Sequence, residues 1–380
     1  MMTIRMQAGR RPGARRGVRS GLAVSAVIAL VAACTPADET DDTPDGDGEA
    51  AADQDGEDGE DAADQDGEDG DGPPMGQGWC SDVSIAAFPG GGQGTPFTNN
   101  VHNGYMAAAE DLGADVTYFF SEWSEEQMVQ QFREAMALDP DGMAVMGHPG
   151  EEAMGPLIDE AYEQGIQVTV VNVELPESQE EYGPQGTGYV GASNYDAGRR
   201  LAEEAVERAE AESGDEAFVW GLLSQEGRGE RTEGVVDGFE DAGLEVVYQE
   251  IDQATNADAP AGTPTFTGVM ASNPDISIVV TDHGDLTATA QTYMEAADLD
   301  QDDVYFAGFD LNPASVDAIQ SGYLDLLIDQ QPFLQGYLPI LQICLTQTYG
   351  FSGLFVDTAG SFIDADNVDA IEDLAMQDIR

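Results

Sequence analysis

The fold is decided by residues 276–332, ISIVVTDHGDLTATAQTYMEAADLDQDDVYFAGFDLNPASVDAIQSGYLDLLIDQQP. Three short, mostly apolar runs occupy residues 276–281, 304–309 and 324–329. Between them, residues 286–297 and 313–321 space their apolar side chains as a helix does. Buried strands that alternate with helices of this length are typical of parallel βαβ units, in which helices cover both faces of a sheet. The stretch therefore predicts three parallel strands and two crossover helices.

The same alternation extends along the rest of the chain. Further strands are predicted at residues 83–88, 116–120, 142–146, 166–172, 189–192, 218–223 and 244–251, with a last strand-like run at 361–364. Further helices are predicted at residues 99–112, 125–137, 151–164, 195–212, 230–242, 265–273 and 332–349. Two such sets, of about 110 and 140 residues, exceed one sheet. We therefore predict an α/β fold with two doubly wound parallel-sheet lobes, which bind ligands beyond the carboxyl ends of their strands.

Residues 1–33 have the features of a secretory signal peptide. Six arginines and no acidic residue accompany an apolar run that ends in small residues before Cys34. The run holds about a dozen residues, whereas a membrane-spanning helix, the alternative interpretation, needs about 20. Arg15 and Arg16 leave a twin-arginine export signal as a further alternative. A cysteine at this place resembles the lipobox of bacterial lipoproteins, which implies lipidation of Cys34 and an extracytoplasmic protein anchored to a membrane.

Residues 34–78 form an acidic segment with almost no apolar side chains. The sequence AADQDGEDG occurs at residues 51–59 and again at 62–70, and 18 acidic residues lie between Asp38 and Asp71. Such a composition buries too little apolar surface to offset the entropy lost on folding. We predict a disordered, extended tether between the lipidated Cys34 and the folded lobes.

The charge of the chain restricts its partners. Its formal net charge is −61, from 74 acidic residues and 13 arginines, and it has no lysine. From Trp79 onward seven arginines accompany 56 acidic residues, a net charge of −49. Such self-repulsion destabilises a compact fold and is largely screened at about 1 M salt. Two explanations of this acidic, lysine-free composition stay open: adaptation to a salty medium, and acidic drift in a GC-rich genome. Under either explanation nucleic acid is excluded as a partner, because its binding needs a basic patch.

The remaining cysteines are Cys80, just before the first strand, and Cys344, in the last long helix. In an oxidising compartment they form one disulfide if both segments lie in the same lobe, and otherwise they are two separate buried thiols. The chain has three histidines without metal-ligand spacing, so no metal site and no cofactor is predicted. It has no nucleophile elbow and no phosphate-binding loop, so no catalytic residue is assigned.

Polar or aromatic residues follow most of the predicted strands. They are Pro96-Phe97, His148-Pro149, Asn172-Val173, Glu226-Gly227-Arg228-Gly229-Glu230-Arg231-Thr232-Glu233-Gly234, Thr281-Asp282-His283-Gly284-Asp285, Gly308-Phe309-Asp310 and Gln330-Gln331-Pro332. With these motifs the chain from residue 83 onward resembles the type I periplasmic binding proteins, close to the ribose and galactose binders and to the ligand domain of LacI-type repressors. The resemblance implies two lobes joined by three crossovers, expected at residues 79–192 with 331–357 and residues 193–330 with 358–380.

The resemblance also implies the residues of a ligand site: Phe97, His148, Asn172, Arg228, Arg231, His283, Asp310 and Gln330. Asp310 is expected to accept hydrogen bonds from two adjacent sugar hydroxyls, and Gln330 to donate and accept at once. Phe97, on a loop, is expected to stack on a sugar ring, or else it is a core residue. Arg228 and Arg231 are alternative ligand arginines, or else ion pairs that relieve acid repulsion. Asn172, His283 and their neighbours depart from the ribose pattern, which indicates another ligand.

The predicted function is an extracytoplasmic solute-binding lipoprotein, held in the periplasm or at the outer face of the cytoplasmic membrane. As a monomer it captures a sugar or sugar-like polyol between its lobes and delivers it to the membrane permease of an ABC importer. The alternative is a receptor of the same fold for a signalling sugar or quorum molecule, coupled to a sensor. A secreted glycosidase would need two carboxyl groups about 5–10 Å apart, for which Asp282 and Asp310 are the nearby candidates.

Overall fold

The computed structural model describes Gly76 and residues 78–380. The predicted signal peptide, the lipidated Cys34 and nearly all of the predicted tether lie outside the described residues. The rest of the chain contains two six-stranded sheets, which define a first and a second lobe.

The first lobe is built around the strands β1 (Ser84–Gly90), β2 (Asp115–Phe120), β3 (Gly142–Met146), β4 (Gln167–Val171), β5 (Gly188–Gly191) and β11 (Phe355–Asp357). Its helices are α1 (Pro96–Leu112), α2 (Glu125–Met136), α3 (Gly150–Glu163), α4 (Pro176–Tyr182) and α12 (Pro332–Tyr349), with a 3₁₀ helix at Gly183–Gln185. The strand order is β11-β5-β4-β3-β1-β2, and all neighbouring strands are parallel.

The second lobe is built around β6 (Glu216–Gly221), β7 (Glu245–Glu250), β8 (Ile276–Thr281), β9 (Tyr305–Phe309), β10 (Leu326–Asp329) and β12 (Ser361–Ile363). Its helices are α5 (Asn194–Arg208), α6 (Glu230–Ala242), α7 (Gln253–Ala257), α8 (Thr263–Ser272), α9 (Gly284–Ala288), α10 (Ala290–Ala296), α11 (Pro313–Gln320) and α13 (Glu372–Ala375), with 3₁₀ helices at Ala259–Gly262 and Val368–Ala370. The order is β12-β10-β9-β8-β6-β7, parallel except for the antiparallel pair β10 and β12.

Both faces of each sheet are buried, as the apolar runs predict. In β1, Ile85 and Ala87 belong to the apolar core on one side of the sheet, and Ala86 and Phe88 belong to the core on the other side. Two further cores cover the second sheet in the same way. The predicted α/β fold with two parallel-sheet lobes is therefore confirmed. No helix in the described part of the chain is long and apolar enough to cross a membrane.

The chain passes between the lobes three times, from β5 to α5, from β10 to α12 and from β11 to β12. The predicted division points, 192/193, 330/331 and 357/358, fall within these connections. The last crossing brings β12 back in the opposite direction, which explains its antiparallel pairing.

Several details of the sequence prediction are wrong. Helix α5 ends at Arg208 and not at residue 212, and strand β6 spans Glu216–Gly221 instead of residues 218–223. Helix α1 begins at Pro96 and not at residue 99, so Phe97 lies in the first helical turn rather than in a loop. Thr95 is the N-cap and Pro96 fills the first position, where proline is favoured. The predicted helix 286–297 is two helices, α9 and α10, which meet at Thr289. Strand 166–172 ends at Val171. The elements β11, α4, α7 and α13 are too short to produce a periodic pattern and were not predicted.

Cys80 and Cys344 are joined by a disulfide, with their Cα atoms 5.7 Å apart. Both are at most 1% exposed and share one apolar core with Val83 and Ile343. The bond connects the entry to β1 with α12 across 264 residues of sequence. It closes a loop that contains the whole second sheet except β12, so it restricts the unfolded chain strongly.

Two glycines position helix α6, whose first turn carries a buried arginine. A Cβ atom at Gly198 in α5 would overlap the main-chain oxygen of Arg231, and one at Gly234 in α6 would overlap the main-chain oxygen of Tyr195. The two helices therefore pack backbone against backbone. This close contact fixes where α6 begins, and with it the position of Arg231.

Candidate functional site

A cavity lies between the lobes, at the carboxyl ends of the strands of both sheets. Its empty volume, counted out to the solvent at its mouth, is about 800 Å³. Its lining consists of Thr95, Pro96, Phe97, Trp123, His148, Asn172, Leu222, Gln225, Arg228, Arg231, Asn256, His283, Gly284, Asp285, Asp310, Leu311, Asn312, Gln330 and Pro332. The structure thus brings all eight residues that the sequence named into one cavity, although they are spread over more than 230 positions.

The backbone is unusual where the strands end in this cavity. Trp123, Asn172, Asp310 and Gln331 have φ angles of 57°, 66°, 72° and 53°. These values lie in the left-handed region, which residues other than glycine adopt at a cost of about 1–3 kcal/mol each. Such strain persists only where the surrounding structure holds it, and it collects at functional sites.

The Gln330 amide links the two lobes. Its Oε1 accepts hydrogen bonds from Asn172 Nδ2 at 3.1 Å, from Arg231 Nη2 at 3.1 Å and from Gln335 Nε2 at 3.2 Å. Its Nε2 donates to the carboxylate of Asp310. Asn172 and Gln335 belong to the first lobe, and Arg231 and Asp310 to the second, so the network crosses the hinge. Gln330 does donate and accept at once, but the partners are protein side chains, which it holds in place.

Asp310 directs one free carboxylate oxygen into the cavity. Oδ1 accepts from Gln330, whereas Oδ2 makes no hydrogen bond with any described residue. Oδ2 lies above Gly284, where a Cβ atom would overlap it. Burial raises the pKa of Asp310, and Arg231 and Gln330 oppose this shift. A carboxylate oxygen without a protein partner is a strong acceptor for a ligand hydroxyl.

The two arginines differ in how many donors they leave free. Arg231 is 1% exposed, and its Nε, Nη1 and Nη2 donate to Asn194 Oδ1 (3.0 Å), the Asp282 main-chain oxygen (3.2 Å) and Gln330 Oε1 (3.1 Å). Its burial, with Arg228 nearby, lowers its pKa to about 9, so it is charged at neutral pH. Arg228 is 6% exposed, and among the residues that the structure describes its guanidinium bonds to Asp282 alone, through Nη1 and Nη2. This difference favours Arg228 as the arginine that contacts a ligand.

An aromatic wall closes the cavity on the side of the first lobe. The Trp123 ring lies 5.6 Å from that of Phe97 and 5.0 Å from that of His148, measured between centroids. The absence of side chains at Gly90 and Gly91 leaves room for the indole, since a Cβ at either position would lie 2.5 Å from it. Trp123 was not predicted, although it follows β2 by three residues, within the region where the strand-end rule directs attention.

The cavity histidines are neutral. Burial, with Arg228 and Arg231 nearby, lowers the pKa of His148 to about 3, and its Nδ1 is buried without a hydrogen-bond partner among the described residues. Burial also lowers the pKa of His283. His283 Nδ1 accepts from the Asp285 amide at 3.3 Å, so its single proton is on Nε2. Within the described part of the chain no group of three or more His, Cys, Asp or Glu is arranged to hold a metal.

The lobes meet across the mouth of the cavity. Gln225 Nε2 in the second lobe donates to Glu125 Oε1 in the first at 2.7 Å. The carboxylate of Glu226 in the second lobe packs on Gly150, the first residue of α3 in the first lobe. These contacts identify a closed arrangement, in which the lining residues of both lobes face one enclosed space.

A sequence profile of the periplasmic binding protein domain matches residues 86–344, more than half of the chain. The protein belongs to the periplasmic binding protein family. The xylose/arabinose-binding protein of Sulfolobus acidocaldarius is 26% identical over 289 residues, which are 72% of this chain and 69% of that protein.

Solved structures of this family share the fold. A carbohydrate transporter from Acidothermus cellulolyticus in complex with myo-inositol has a TM-score of 0.67 at 24% identity, and covers 78% of this chain and 99% of its own. A solute-binding protein from Burkholderia graminis in complex with D-arabinose has a TM-score of 0.66 at 20% identity, and covers 76% and 97%. The similarity extends over both lobes and confirms the type I periplasmic binding protein fold.

The match to the periplasmic binding protein domain identifies a binding protein rather than the glycosidase alternative. The structure explains why the Asp282 carboxylate is no partner for Asp310. It is fully buried below the cavity and accepts from Thr232 Oγ1, from the Leu222 amide at 3.2 Å and from Arg228. Asp282 therefore holds Arg228 in place.

Proposed function

We propose that the protein is an extracytoplasmic solute-binding lipoprotein that captures a sugar or a sugar-like polyol between its lobes and delivers it to an ABC importer. The observation that carries the proposal is the cavity between the lobes, which is lined by one aromatic wall and by several hydrogen-bonding groups without partners among the described residues.

The chemistry of the free groups favours a polyhydroxylated ligand. Asp310 Oδ2 accepts only, Arg228 donates only, and His283 donates from Nε2. A hydroxyl group can donate and accept in the same place, so a ring of hydroxyls suits such a mixture. The two arginines are balanced by the carboxylates of Asp282 and Asp310. This balance favours a neutral ligand over an anion or a cation.

The names of related proteins support the same class. One relative is a xylose/arabinose-binding protein, and two neighbours in structure were solved with myo-inositol and D-arabinose. Each of these ligands is a small, neutral polyol. We therefore propose a pentose, hexose or inositol as the ligand.

Ligand binding would favour the closed state by population shift. Trp123 and His148 line the cavity from the first lobe, and Asp310 and Arg228 from the second. A ligand that contacts both sets binds the closed form more tightly than the open form, and therefore increases the closed population. The Gln225–Glu125 hydrogen bond at the cavity mouth forms only when the lobes meet. We propose that the permease recognises this closed surface.

The remaining parts of the proposal concern location. Lipidation of Cys34 and the acidic segment of residues 34–78 would hold a monomer near its permease, in the periplasm or at the outer membrane face. Mass spectrometry of the membrane fraction tests this point, since a diacylated N-terminal peptide that begins at Cys34 is expected. An unmodified Cys34 in the mature protein would contradict the anchor.

The binding function is tested by a thermal-shift screen with pentoses, hexoses, inositols and nucleosides. We expect at least one sugar or polyol to raise the melting temperature. Asp310→Asn keeps a residue that tolerates the positive φ but removes the charged acceptor. It should weaken binding about 10- to 100-fold, because hydrogen bonds to charged groups are worth about 1.5–3 kcal/mol. The ligand-free variant should melt at or above the wild-type temperature, since burial disfavours the Asp310 charge. A screen without any hit would refute the proposed function.

A further inference from the structure

The two walls of the cavity differ in chemistry. The first lobe contributes the mutually packed rings of Phe97, Trp123 and His148. Among the described lining residues, the second lobe contributes no phenylalanine, tyrosine or tryptophan. The one ring among its described lining residues is the imidazole of His283, and the ring of Phe309 is covered by the guanidinium of Arg231, 4.3 Å from the ring centroid. A ligand can therefore stack on the first lobe but meets a mainly polar surface on the second.

Asn256 is a polar group of the second wall that sequence reasoning missed. It lies on α7, whose first turn is capped by Asp252 Oδ1, which accepts from the amides of Ala254 (2.9 Å) and Thr255 (3.0 Å). Thr255 is 1% exposed and anchors the helix in the lobe. This short, fixed helix places the Asn256 side chain in the cavity lining.

The side-chain oxygen of Asn256 has no hydrogen-bond partner in the described part of the chain. This atom, Oδ1, is also shielded from bulk solvent. Most buried polar atoms in folded proteins are paired, so an unpaired acceptor in a cavity wall calls for a ligand donor or an ordered water. Asn256 Oδ1 is therefore placed to accept a hydrogen bond from a ligand hydroxyl.

A ring with a different surface on each side fits this asymmetric cavity. When every hydroxyl of a pyranose or cyclitol chair is equatorial, both faces present only C–H groups, which suits two aromatic walls. An axial hydroxyl makes one face polar and leaves C–H groups on the other, which suits one aromatic and one polar wall. The stacked side then faces Trp123, and the axial hydroxyl faces the second lobe.

We propose that the cleft selects monosaccharides or cyclitols that carry an axial hydroxyl on one ring face, and that Asn256 accepts the hydrogen bond of this hydroxyl. The proposal rests on the proposed sugar-binding function and adds to it the class of sugar and a residue that determines specificity. A site built to pair with a hydroxyl discriminates against an analogue that lacks it, because its own polar group is then left unpaired.

The test compares ligands that differ in the orientation of one hydroxyl: myo-inositol against scyllo-inositol, which have no anomers, D-galactose and D-mannose against D-glucose, and L-arabinose against D-xylose. For D-glucose and D-xylose the all-equatorial form is the β anomer. Dissociation constants of the full protein are measured by titration calorimetry, with tryptophan fluorescence, to which Trp123 contributes, as a second signal. In the pair that contains the tightest ligand, the axial member should bind at least about tenfold more tightly, equivalent to about 1.4 kcal/mol.

Variants of Asn256 separate its role from general damage. Asn256→Leu removes the acceptor at similar size, and Asn256→Ala removes it with a residue that favours the helix. Either should reduce the preference within the pair to about twofold or less, by weakening the axial ligand and not the equatorial one. Asn256→Asp keeps an acceptor and should retain the preference.

Each outcome decides a different point. Equal or tighter binding of the all-equatorial member by the wild type would overturn the proposed selectivity. A preference that survives in both Asn256→Leu and Asn256→Ala would overturn the role of Asn256. If no ligand of these pairs or of the wider screen binds, the proposed function itself falls, and this inference with it.

Discussion

The most informative perturbation of the cleft is the replacement of Gln330 by leucine. Of the donors that Gln330 Oε1 serves, Asn172 also donates to Gln335 Oε1 at 2.9 Å, and Gln335 Nε2 also donates to Thr358 Oγ1 at 3.0 Å. Arg231 Nη2 has no other partner among the described residues. The substitution therefore removes two charge-assisted hydrogen bonds, those to Arg231 and Asp310.

The expected cost follows from these two bonds. A hydrogen bond to a charged group is worth about 1.5–3 kcal/mol, so losing both costs about 3–6 kcal/mol. Burial of the leucine side chain offsets about 1–2 kcal/mol. We therefore expect Gln330→Leu to lower the free energy of unfolding by about 1–5 kcal/mol. The loss should be smaller at acid pH, because Gln330 stabilises the ionised form of Asp310.

Gln330→Glu is the matched control, because it keeps an acceptor for Arg231 but loses the donor to Asp310. Two carboxyl groups within hydrogen-bond distance cannot both be ionised cheaply, so they share a proton and the folded-state pKa of the pair is raised. The stability that the shared proton provides is fully present below the unfolded-state pKa of the two carboxyl groups, and it is lost as pH rises through their folded-state pKa. The variant should match the wild type near pH 5 and be less stable near pH 8.

Urea unfolding followed by circular dichroism, in constant high salt at both pH values, measures these differences. A loss below about 1 kcal/mol for Gln330→Leu would refute the view that Gln330 connects the lobes. Wild-type-like pH dependence of Gln330→Glu would refute the contact with Asp310.

Three further predictions concern packing, protonation and charge. Gly198→Ala should destabilise the fold by about 1–3 kcal/mol and weaken ligand binding, since the new methyl group pushes against the Arg231 main chain. The control is Gly268→Ala, where a Cβ meets no atom within 4 Å. In thermal melting this control should be neutral or stabilising. Burial, with Glu230 nearby, raises the pKa of Glu174 to about 7, so the stability held by its proton is lost as pH rises through about 7. Glu174→Gln should therefore raise the free energy of unfolding near pH 8 by about 1–2 kcal/mol after solvent screening, which is measured as a higher melting temperature. Near pH 4 the melting temperature should not change, and equal gains at both pH values would exclude the mechanism. Finally, the melting temperature should climb from about 0.1 to 2 M salt as screening reduces self-repulsion, and a flat or falling curve would contradict the importance of the net charge of −49.

The sequence predicted the strands and helices that carry the fold because each buries a long enough apolar pattern. The runs at 276–281 and 304–309 correspond to β8 (Ile276–Thr281) and β9 (Tyr305–Phe309) within one residue. The three-residue β11 and the five-residue α7 each contain only about one and a half periods of their element, too few for a repeated spacing to show them. Since α7 carries Asn256, the sequence analysis did not find this residue of the cavity lining.

The site residues that the sequence named are those attached to motifs at strand ends. Their roles could not be derived in the same way, because roles depend on partners far away in sequence. Gln330 contacts Asn172, which is 158 residues distant, and Arg231, which is 99 residues distant. Arg228 and Arg231 look equivalent in the turn that contains both, and only their partners show that Arg231 has no free nitrogen.

The distribution of the arginines connects the charge of the protein with its ligand. Of the seven arginines that follow Cys34, two occupy the cleft, where each is at most 6% exposed. There they meet the buried carboxylates of Asp282 and Asp310, so the centre of the cavity is close to neutral while the surface is strongly negative. A negative field of this size repels anions at low ionic strength and leaves a neutral polyol unaffected. The surface and the cleft therefore favour the same ligand class, a neutral one, for different physical reasons.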